Sequence, residues 1–192
     1  MGSDSIKLSL LICTIPKRAA FMERLLNILM PQIYGIERYV EIEIDAHPTD
    51  SIGTKRNRLL QKARGKYVAF IDDDDRVSET YVLNLLIGID KGVDCCSLLG
   101  IITDDGENPR YFEHSLSYNE YRTVKRDGRD FYERFPNHVS CIRADIAKQF
   151  IFPETNHGED TDWAAQIHRS GQLMTEHYIE EVIYFYDYRT KK

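Results

Sequence analysis

Four consecutive aspartates at residues 72–75 are the side chains in this sequence whose type and spacing point most clearly to specific chemistry. Adjacent carboxylates next to an apolar segment repel one another unless a cation compensates them. Oxygen ligands suit hard divalent ions, and Mg²⁺ usually binds through one or two carboxylates together with substrate phosphates. This aspartate run therefore favours a site for Mg²⁺ or Mn²⁺. The alternative is a solvated turn whose side chains cap the next helix.

A second acidic group follows Gly158, where Glu159, Asp160 and Asp162 precede an apolar helical pattern that begins at Trp163. Acidic residues in a first helical turn are favoured by the helix dipole. Taken alone, this group is therefore typical of ordinary N-terminal capping. A catalytic role needs support from the rest of the sequence.

The elements that position the aspartate run follow an α/β pattern. Residues 66–71 form an apolar run typical of a strand buried on both faces, with the aspartates at its C-terminal end. Before it, the pattern predicts strand 7–13, helix 19–30 ended by Pro31, strand 38–45 and helix 54–64. Strands alternating with such helices indicate βαβ units and a parallel sheet.

In that sheet, Thr14, Asp45 and Asp72 follow three strands whose carboxyl ends share one edge. Ligands of open α/β sheets bind outside the carboxyl ends of the strands. Polar and ionisable residues from three loops meeting there are typical of a nucleotide pocket.

The second half of the chain is less regular. The sequence predicts helix 78–90, an apolar strand over 94–103, short helix 143–150, a helix that ends at Gly171, strand 181–188 and a basic tail over 189–192. Residues 104–136 break the pattern with glycines, charges and tyrosines. We interpret them as a long irregular excursion that binds an acceptor, because long irregular segments in compact domains are often functional.

Size and composition restrict the function classes. A chain of 192 residues is long enough for one well-filled core, so we expect a single domain over residues 1–192. Its formal charge of -6 is unlike that of a generic nucleic-acid binder. No apolar run has the length of a membrane span, and the N-terminus lacks a signal-peptide pattern. Residues 1–5 are interpreted as an expression-vector remnant.

The four cysteines are Cys13, Cys95, Cys96 and Cys141, and none belongs to a Cys-x-x-Cys pair. The adjacent pair at residues 95–96 lies in an apolar segment typical of core packing. A zinc site or a disulfide framework is therefore not expected, and the cysteines favour the reducing cytoplasm.

The order and spacing of these pieces resemble glycosyltransferases of the GT-A fold, most similar to family 2. The resemblance covers nearly the whole chain and rests on the strand and loop through Arg18, on Asp45, on residues 53–57 and 63–67, on residues 70–75 as an Asp-x-Asp motif, and on residues 158–160 as a late acidic motif. It implies an α/β, Rossmann-like domain with a mixed, mostly parallel sheet flanked by helices.

The resemblance also implies an activity: inverting transfer of a sugar from a nucleotide-diphosphate donor, expected to be a UDP-sugar, to a hydroxyl of a glycan or other acceptor. It implies that Asp72 contacts the donor and that Asp72 and Asp74 bind Mn²⁺ or Mg²⁺. Because four aspartates follow one another, the register of the Asp-x-Asp motif stays open, and Asp73 or Asp75 is the residue whose role depends on that register. The remaining implied donor-binding residues are Thr14, Pro16, Arg18, Asp45, Lys55, Arg56 and Asp73.

Inversion in one displacement needs a base that takes the proton of the acceptor hydroxyl. Asp160 matches the base position of the family, with Glu159 beside it as an orienting or acceptor-binding carboxylate. Many GT-A enzymes bring a late histidine to the metal, but residues 184–188 contain none. His138 is the candidate in its place, followed by His157 and His177, although a single histidine is more often a surface or hydrogen-bonded core residue.

Two other functions fit parts of the pattern. A nucleotidyltransferase also uses paired carboxylates and a divalent cation, but it predicts a glycine-rich basic loop after the first strand, and residues 14–18 contain no glycine. A non-catalytic, cation-dependent carbohydrate-binding domain would not require the separate Glu159–Asp160 pair.

Overall fold

The computed structural model describes residues 5–189. The predicted expression remnant and the predicted basic tail therefore lie outside the described residues, apart from Ser5 and Arg189. No helix in the described part of the chain is long and apolar enough to cross a membrane.

The first half of the chain forms the predicted βαβ units. Its elements are β1 (Leu8–Cys13), α1 (Ala19–Ile33), β2 (Val40–Asp45), α2 (Ile52–Lys62) and β3 (Tyr67–Phe70). Strand β1 pairs in parallel with β2 on one side and with β3 on the other. The carboxyl ends of these three strands therefore share one edge of the sheet, as predicted.

Helix α1 does not end at Pro31, so the predicted boundary was wrong. A proline inside a helix loses one backbone hydrogen bond and crowds the preceding turn. Here it lies in the last turn, and the buried face of Met22, Leu25 and Leu29 continues to Ile33, which is 4% exposed. Burial of the Ile33 side chain stabilises the last turn, so the helix continues past Pro31 to residue 33.

The second half of the chain widens the sheet. Its elements are β4 (Arg76–Val77), α3 (Tyr81–Asp90), β5 (Cys95–Asp104), β6 (Glu107–His114), β7 (Arg122–Arg126), β8 (Arg129–Arg134), β9 (Cys141–Arg143), α4 (Ala144–Ala147), α5 (Glu159–Ser170) and β10 (Glu176–Tyr188). Strand β9 pairs antiparallel with both β3 and β5, and β10 pairs in parallel with β5. The predicted α/β class with a mixed sheet is confirmed.

Residues 104–136 are mainly strands, where an irregular excursion was expected. Strand β6 pairs antiparallel with β5 and in parallel with β8, which pairs antiparallel with β7. Both hairpins turn at an Asp-Gly pair, Asp105–Gly106 and Asp127–Gly128, whose four φ angles are all positive. Asp-Gly is a strong hairpin signal, because a type I′ turn needs positive φ at both central residues. That signal could have identified these strands in the sequence.

Helices cover both faces of the sheet. On one face, β1 packs against α1 and α3 through a cluster that includes Leu10, Leu25 and Leu85. On the other face, β3 packs against α2 and α5 through a cluster that includes Phe70 and Trp163. This packing on both faces positions the strand ends from which the loops at the carboxyl edge begin.

Gly53 in the first turn of α2 marks the closest approach of that helix to the loop before α5. An added Cβ atom would lie 1.8 Å from the carbonyl oxygen of Pro153, and the Gly53 N–H donates to the carbonyl of Thr155 at 3.1 Å. The loop that α2 touches leads directly into Gly158 and the acidic start of α5. Only glycine therefore fits this contact without moving that loop.

We predict that Gly53→Ala destabilises the protein by about 1–3 kcal/mol, because the new methyl group meets backbone atoms that cannot rotate away. Thermal unfolding followed by circular dichroism measures the change. Gln61→Ala on the exposed part of the same helix is the control and should stay within about 0.5 kcal/mol of the wild type. Equal melting of Gly53→Ala and the wild type would contradict this contact.

Candidate functional site

The carboxyl edge of β1 and β3 opens into a first cavity of about 300 Å³. The loop after β1, the start of α2, the aspartate run, the start of α5 and the end of β10 all contribute to it. Its polar lining residues include Thr14, Arg18, Lys55, Arg56, Asp72, Asp73, Asp74, Glu159, Asp160 and Tyr186. The structure therefore brings together most of the residues implied to bind the donor and to act in catalysis.

The aspartate run is a tight turn, but it is not a solvated cap. The N–H of Asp75 donates to the carbonyl of Asp72 at 3.0 Å, which closes the turn. Asp73 and Asp75 are 3% and 1% exposed. The next helix, α3, has Thr80 at its N-cap position and receives no side-chain cap. The four carboxylates instead contact different partners, which separates their roles.

Asp72 faces a buried arginine from α2. The Arg56 Nη2 atom lies 2.9 Å from Asp72 Oδ1, and Nη1 lies 3.3 Å from Glu159 Oε1. The guanidinium also lies 5.6 Å from the ring centres of both Phe70 and Phe152. Burial alone would raise the pKa of Asp72, but Arg56 and then His138 hold that pKa well below its ordinary value. Arg56 thus links the aspartate run to the acidic start of α5.

Arg56 and its neighbour Lys55 are both 3% exposed, whereas charged residues on a helix are more often part of a solvated face. The Lys55 Nζ atom donates to the carbonyl of Thr14 at 2.8 Å. Lys55 therefore supports the loop after β1 at the wall of the first cavity.

Asp73 and Asp74 share one arginine. The Arg18 Nη2 atom lies 2.6 Å from Asp73 Oδ1 and 2.6 Å from Asp74 Oδ2. Asp73 also accepts hydrogen bonds from Arg18 Nε at 3.1 Å and from Thr14 Oγ1 at 2.6 Å. Arg18 therefore supplies the positive charge that the adjacent carboxylates require.

Asp75 does not line the first cavity and faces a second, neighbouring cavity instead. Its Oδ2 atom accepts a hydrogen bond from the Tyr184 hydroxyl at 2.7 Å, and that hydroxyl accepts one from the N–H of Asp72 at 3.2 Å. Burial, followed by repulsion from Asp72, raises the pKa of Asp75 well above its ordinary value. A buried, tyrosine-bonded side chain makes Asp75 a structural member of the run.

Among the site residues missed in the sequence, Arg24 and Tyr184 bond the aspartate run itself. Arg24 from α1 donates to the carbonyls of Asp74 and Asp75, and Tyr184 from β10 anchors Asp72 and Asp75. The helical pattern of α1 and the aromatic run at residues 184–188 were visible. Nothing local in either segment shows that it contacts the aspartate run, because the contact of Tyr184 depends on the pairing of β10 with β4 and β5, and that of Arg24 depends on the packing of α1 against β4.

A second cavity of about 260 Å³ lies beside the first. Its lining includes Ile102, Phe112, His114, Tyr132, Arg134, Asn137, His138 and Tyr184. Asp72, Asp160 and Tyr186 line both cavities. Asp160 therefore stands at the boundary between the two, with a side chain that is 31% exposed. Glu159, by contrast, is buried against Arg56.

His138 lies between the two acidic groups, on the side of the second cavity. Its Nε2 atom is 3.5 Å from Asp72 Oδ2, and its Nδ1 atom is 3.5 Å from Asp160 Oδ2. Its carbonyl accepts from the N–H of Phe70 at 3.0 Å, which fixes its position beside β3. Neither ring nitrogen has a hydrogen-bond partner among residues 5–189, although both are buried. His138 thus contacts Asp72 and the candidate base, while its predicted role as a metal ligand stays a prediction.

The other two candidate histidines lie elsewhere. His157 is exposed at the rim of the first cavity. His177 lies beside Lys91, with Nδ1 at 3.0 Å from Lys91 Nζ, and lines neither cavity.

Two residues expected at the donor do not line the first cavity. Asp45 is buried at the end of β2, where its oxygens accept hydrogen bonds from Arg58 Nε and from the N–H of His47. Pro16 lines a separate surface depression with residues of α1. The donor-binding roles of Asp45 and Pro16 stay predictions that would require a rearrangement of this loop region.

The donor set of the first cavity fits a hard divalent cation that takes several ligands from its substrate. Asp72 and Asp74 both line the cavity, and their side chains are 33% and 23% exposed. Within residues 5–189, no group of three or more His, Cys, Asp or Glu side chains could hold a metal ion by itself. Mg²⁺ typically uses one or two carboxylates plus substrate phosphates, so two carboxylates are compatible with this kind of site.

Comparison with known proteins identifies the family. The sequence profile of Glycosyl transferase family 2 matches residues 35–150, which is more than half of the 192-residue chain. The chain belongs to glycosyl transferase family 2. The resemblance drawn from the sequence is thereby confirmed. Among curated proteins, this family 2 chain has no significant sequence match.

Solved structures of S. aureus TarS share the fold of this family 2 domain. Residues 1–349 of TarS superpose with a TM-score of 0.63 at 16% identity, covering 95% of this chain and 60% of that one. The TarS fragment in complex with UDP-GlcNAc gives a TM-score of 0.61 at 15% identity, covering 97% and 60%. A further structure of S. aureus TarS gives a TM-score of 0.59 at 14% identity, covering 95% of this chain and 37% of that one. The chain thus spans about 60% of the length of the TarS fragments.

We predict that Arg56→Met lowers the free energy of unfolding by about 3–5 kcal/mol, because Glu159 is left buried without its cationic partner. The loss should become smaller in acid. Arg56 lowers the pKa of Asp72, and this contributes stability at pH values above the ordinary Asp pKa of about 4. That contribution disappears as the pH falls through the pKa of Asp72 in the folded state. Urea unfolding at pH 7 and at pH 3 measures both effects.

Lys125→Met is the control for this experiment, since it removes an exposed ion pair with Asp130 at 2.7 Å. Such pairs contribute about 0–1 kcal/mol. If Arg56→Met is no more destabilising than Lys125→Met, Arg56 is not the electrostatic link between the two acidic groups.

Proposed function

We propose that this family 2 domain transfers a sugar from a nucleotide-diphosphate donor in the first cavity to a hydroxyl of an acceptor in the second cavity. The observation that carries this proposal is the position of Asp160. Its carboxylate lies at the boundary of the two cavities, where the reacting atoms of both substrates would meet. A base at such a boundary can reach an acceptor hydroxyl while the donor occupies the other side.

The lining of the first cavity supports a nucleotide-diphosphate donor. It combines the cationic side chains of Arg18, Lys55 and Arg56 with the polar edge of the sheet, where α/β proteins bind nucleotides. The TarS structures in complex with UDP-GlcNAc and with UDP have the same fold, which supports a UDP-sugar.

We propose that Asp74, with Asp72, holds Mn²⁺ or Mg²⁺ in the first cavity, since Asp73 and Asp75 are committed to buried partners. A bound divalent cation supplies charge stabilisation for the diphosphate leaving group. The register of the Asp-x-Asp motif would then be Asp72 and Asp74.

The proposed reaction is a single displacement with inversion. The acceptor oxygen forms a bond to the anomeric carbon, and the bond from that carbon to the diphosphate oxygen breaks with its electron pair. The acceptor proton moves to the Asp160 carboxylate. Glu159 is unsuited to this step because it is buried against Arg56. It fixes the start of α5 instead, and His138 limits the position of Asp160 from the other side.

The second cavity has the composition of a carbohydrate site. Tyr132, Tyr186 and Phe112 present aromatic surface, and Asn137 and His138 add hydrogen-bonding groups. Apolar and aromatic linings with a few placed polar groups are typical of small-ligand pockets. Phe112 and Tyr132 come from β6 and β8, so the proposal assigns the acceptor to residues 104–136, as the sequence suggested.

The two alternative functions predict different ligand behaviour. A nucleotidyltransferase would use a nucleoside triphosphate, and a carbohydrate-binding domain would bind without turnover. A thermal-shift screen of nucleotide sugars with and without Mn²⁺ separates them, because a ligand that binds only the folded state raises the melting temperature. We expect a UDP-sugar to stabilise the protein more with Mn²⁺ than without it.

All four cysteines are free thiols, in keeping with the proposed cytoplasmic location.

We predict that Asp74→Asn reduces Mn²⁺-dependent binding of UDP by at least about tenfold, since it removes a cation ligand that faces the cavity. Asp75→Asn is the matched control: Asp75 is bonded to Tyr184 and its raised pKa favours the neutral form, so an amide should be tolerated. Isothermal titration calorimetry with UDP, with and without Mn²⁺, measures both variants. If Asp75→Asn weakened Mn²⁺-dependent UDP binding more than Asp74→Asn, the metal ligand would be Asp75, and the Asp-x-Asp motif would be Asp73 and Asp75.

We predict that Asp160→Asn lowers turnover of the donor sugar by about 10²–10⁴-fold and leaves UDP binding within about twofold, because it removes only the base. Donor turnover is followed by release of UDP, and binding by calorimetry. Asp162→Asn, exposed in the same helical turn, is the control and should retain activity. Full activity of Asp160→Asn would exclude Asp160 as the base.

A further inference from the structure

We infer that Arg18 is the counter-ion of the aspartate run and prevents tight metal binding at Asp74 in the absence of donor. When a diphosphate binds in the first cavity, Arg18 contacts the diphosphate instead, and Asp74 becomes available to the metal. This inference rests on the proposed function and specifies how its cation and donor bind together. Arg18 is therefore a positioning residue that couples the two ligands.

The first step of this inference is the contact itself. Arg18 Nη2 lies at 2.6 Å from Asp74 Oδ2, and among the described residues this is the ion pair that the Asp74 carboxylate makes. A divalent cation on Asp74 would compete with the guanidinium for the same carboxylate, and the two positive charges would repel each other at short range. Access of a metal to both oxygens of Asp74 therefore requires Arg18 to leave Oδ2.

The second step concerns which cation is able to move. Arg56 and Lys55 are both 3% exposed and are held by Asp72 and by the Thr14 carbonyl. The Arg18 side chain is 29% exposed and extends from a short 3-10 turn, residues 16–18, that has no side-chain cap. Compared with Lys55 and Arg56, Arg18 is therefore the cation that can turn toward the cavity at the lower cost, while its Nε atom stays 3.1 Å from Asp73 Oδ2.

The third step is the destination of Arg18. It lines the first cavity, where the diphosphate of the donor is proposed to bind. A guanidinium matches phosphate oxygens as well as it matches carboxylates, with paired N–H donors. A diphosphate thus offers Arg18 a replacement for Asp74, and the freed Asp74 carboxylate becomes available to the metal. Each ligand then raises the affinity of the other, as linkage requires.

Arg24 provides a matched control. It carries the same charge near the same run and lies over the same ring, with Phe21 at 5.6 Å from Arg24 and 5.4 Å from Arg18. Its hydrogen bonds in the run go to the carbonyls of Asp74 and Asp75, however, and not to a carboxylate. Removing Arg24 removes a positive charge without releasing the Asp74 side chain.

The test is a titration of Mn²⁺ in the absence of nucleotide, followed by electron paramagnetic resonance of the free ion, and repeated with saturating UDP. We expect the wild type to bind Mn²⁺ weakly alone and at least about tenfold more tightly with UDP. Arg18→Met should bind Mn²⁺ alone about tenfold more tightly than the wild type, and UDP should raise its Mn²⁺ affinity less. Arg24→Met should gain much less Mn²⁺ affinity without nucleotide than Arg18→Met, because it leaves the Asp74 carboxylate on Arg18.

Circular dichroism and thermal unfolding check that each variant is folded, and Arg18→Lys is the second variant. A lysine keeps the positive charge, so it should leave Mn²⁺ binding without nucleotide weak. If Arg18→Met binds Mn²⁺ no more tightly than the wild type, or if Arg24→Met gains as much affinity, the inference is overturned. Loss of UDP and Mn²⁺ binding by the wild type itself would overturn the proposed function as well.

Discussion

Four adjacent carboxylates can be placed against an apolar sheet only if each one is neutralised or hydrogen-bonded, and this constraint shapes the site. Arg56 compensates Asp72, Arg18 compensates Asp73 and Asp74, and Tyr184 bonds Asp75. These partners come from α2, from the loop after β1 and from β10. The aspartate run therefore draws three distant segments of the chain together at one edge of the sheet.

The same contacts distribute function along the run. Asp75 is bonded to Tyr184 beside the second cavity, Asp73 contacts the loop after β1, and Asp72 belongs to the network that reaches Glu159 through Arg56. Asp74 alone faces the first cavity with a single, partly exposed partner. Because protein cations compensate Asp72, Asp73 and Asp74, the proposed metal at Asp74 would compete with Arg18 for the same carboxylate.

The sequence predicted the βαβ half of the fold, the position of the aspartate run and the family, because these depend on local periodicity and on motif order. It did not predict the partners of the carboxylates. Burial of Lys55 and Arg56, which a helical pattern assigns to a solvated face, depends on how α2 packs against α5, and the contacts of Tyr184 depend on long-range strand pairing. Residues 104–136 were misjudged because charged residues obscured the strand alternation.

The central claim is that the first cavity receives a sugar nucleotide together with a divalent cation at Asp74. A crystal structure with UDP-GlcNAc and Mn²⁺, with anomalous diffraction collected at the manganese absorption edge, measures this most directly. The claim predicts an anomalous peak at the Asp74 carboxylate, between it and the diphosphate. A diphosphate bound in the first cavity with no anomalous peak, and with Arg18 still on Asp74, would contradict it.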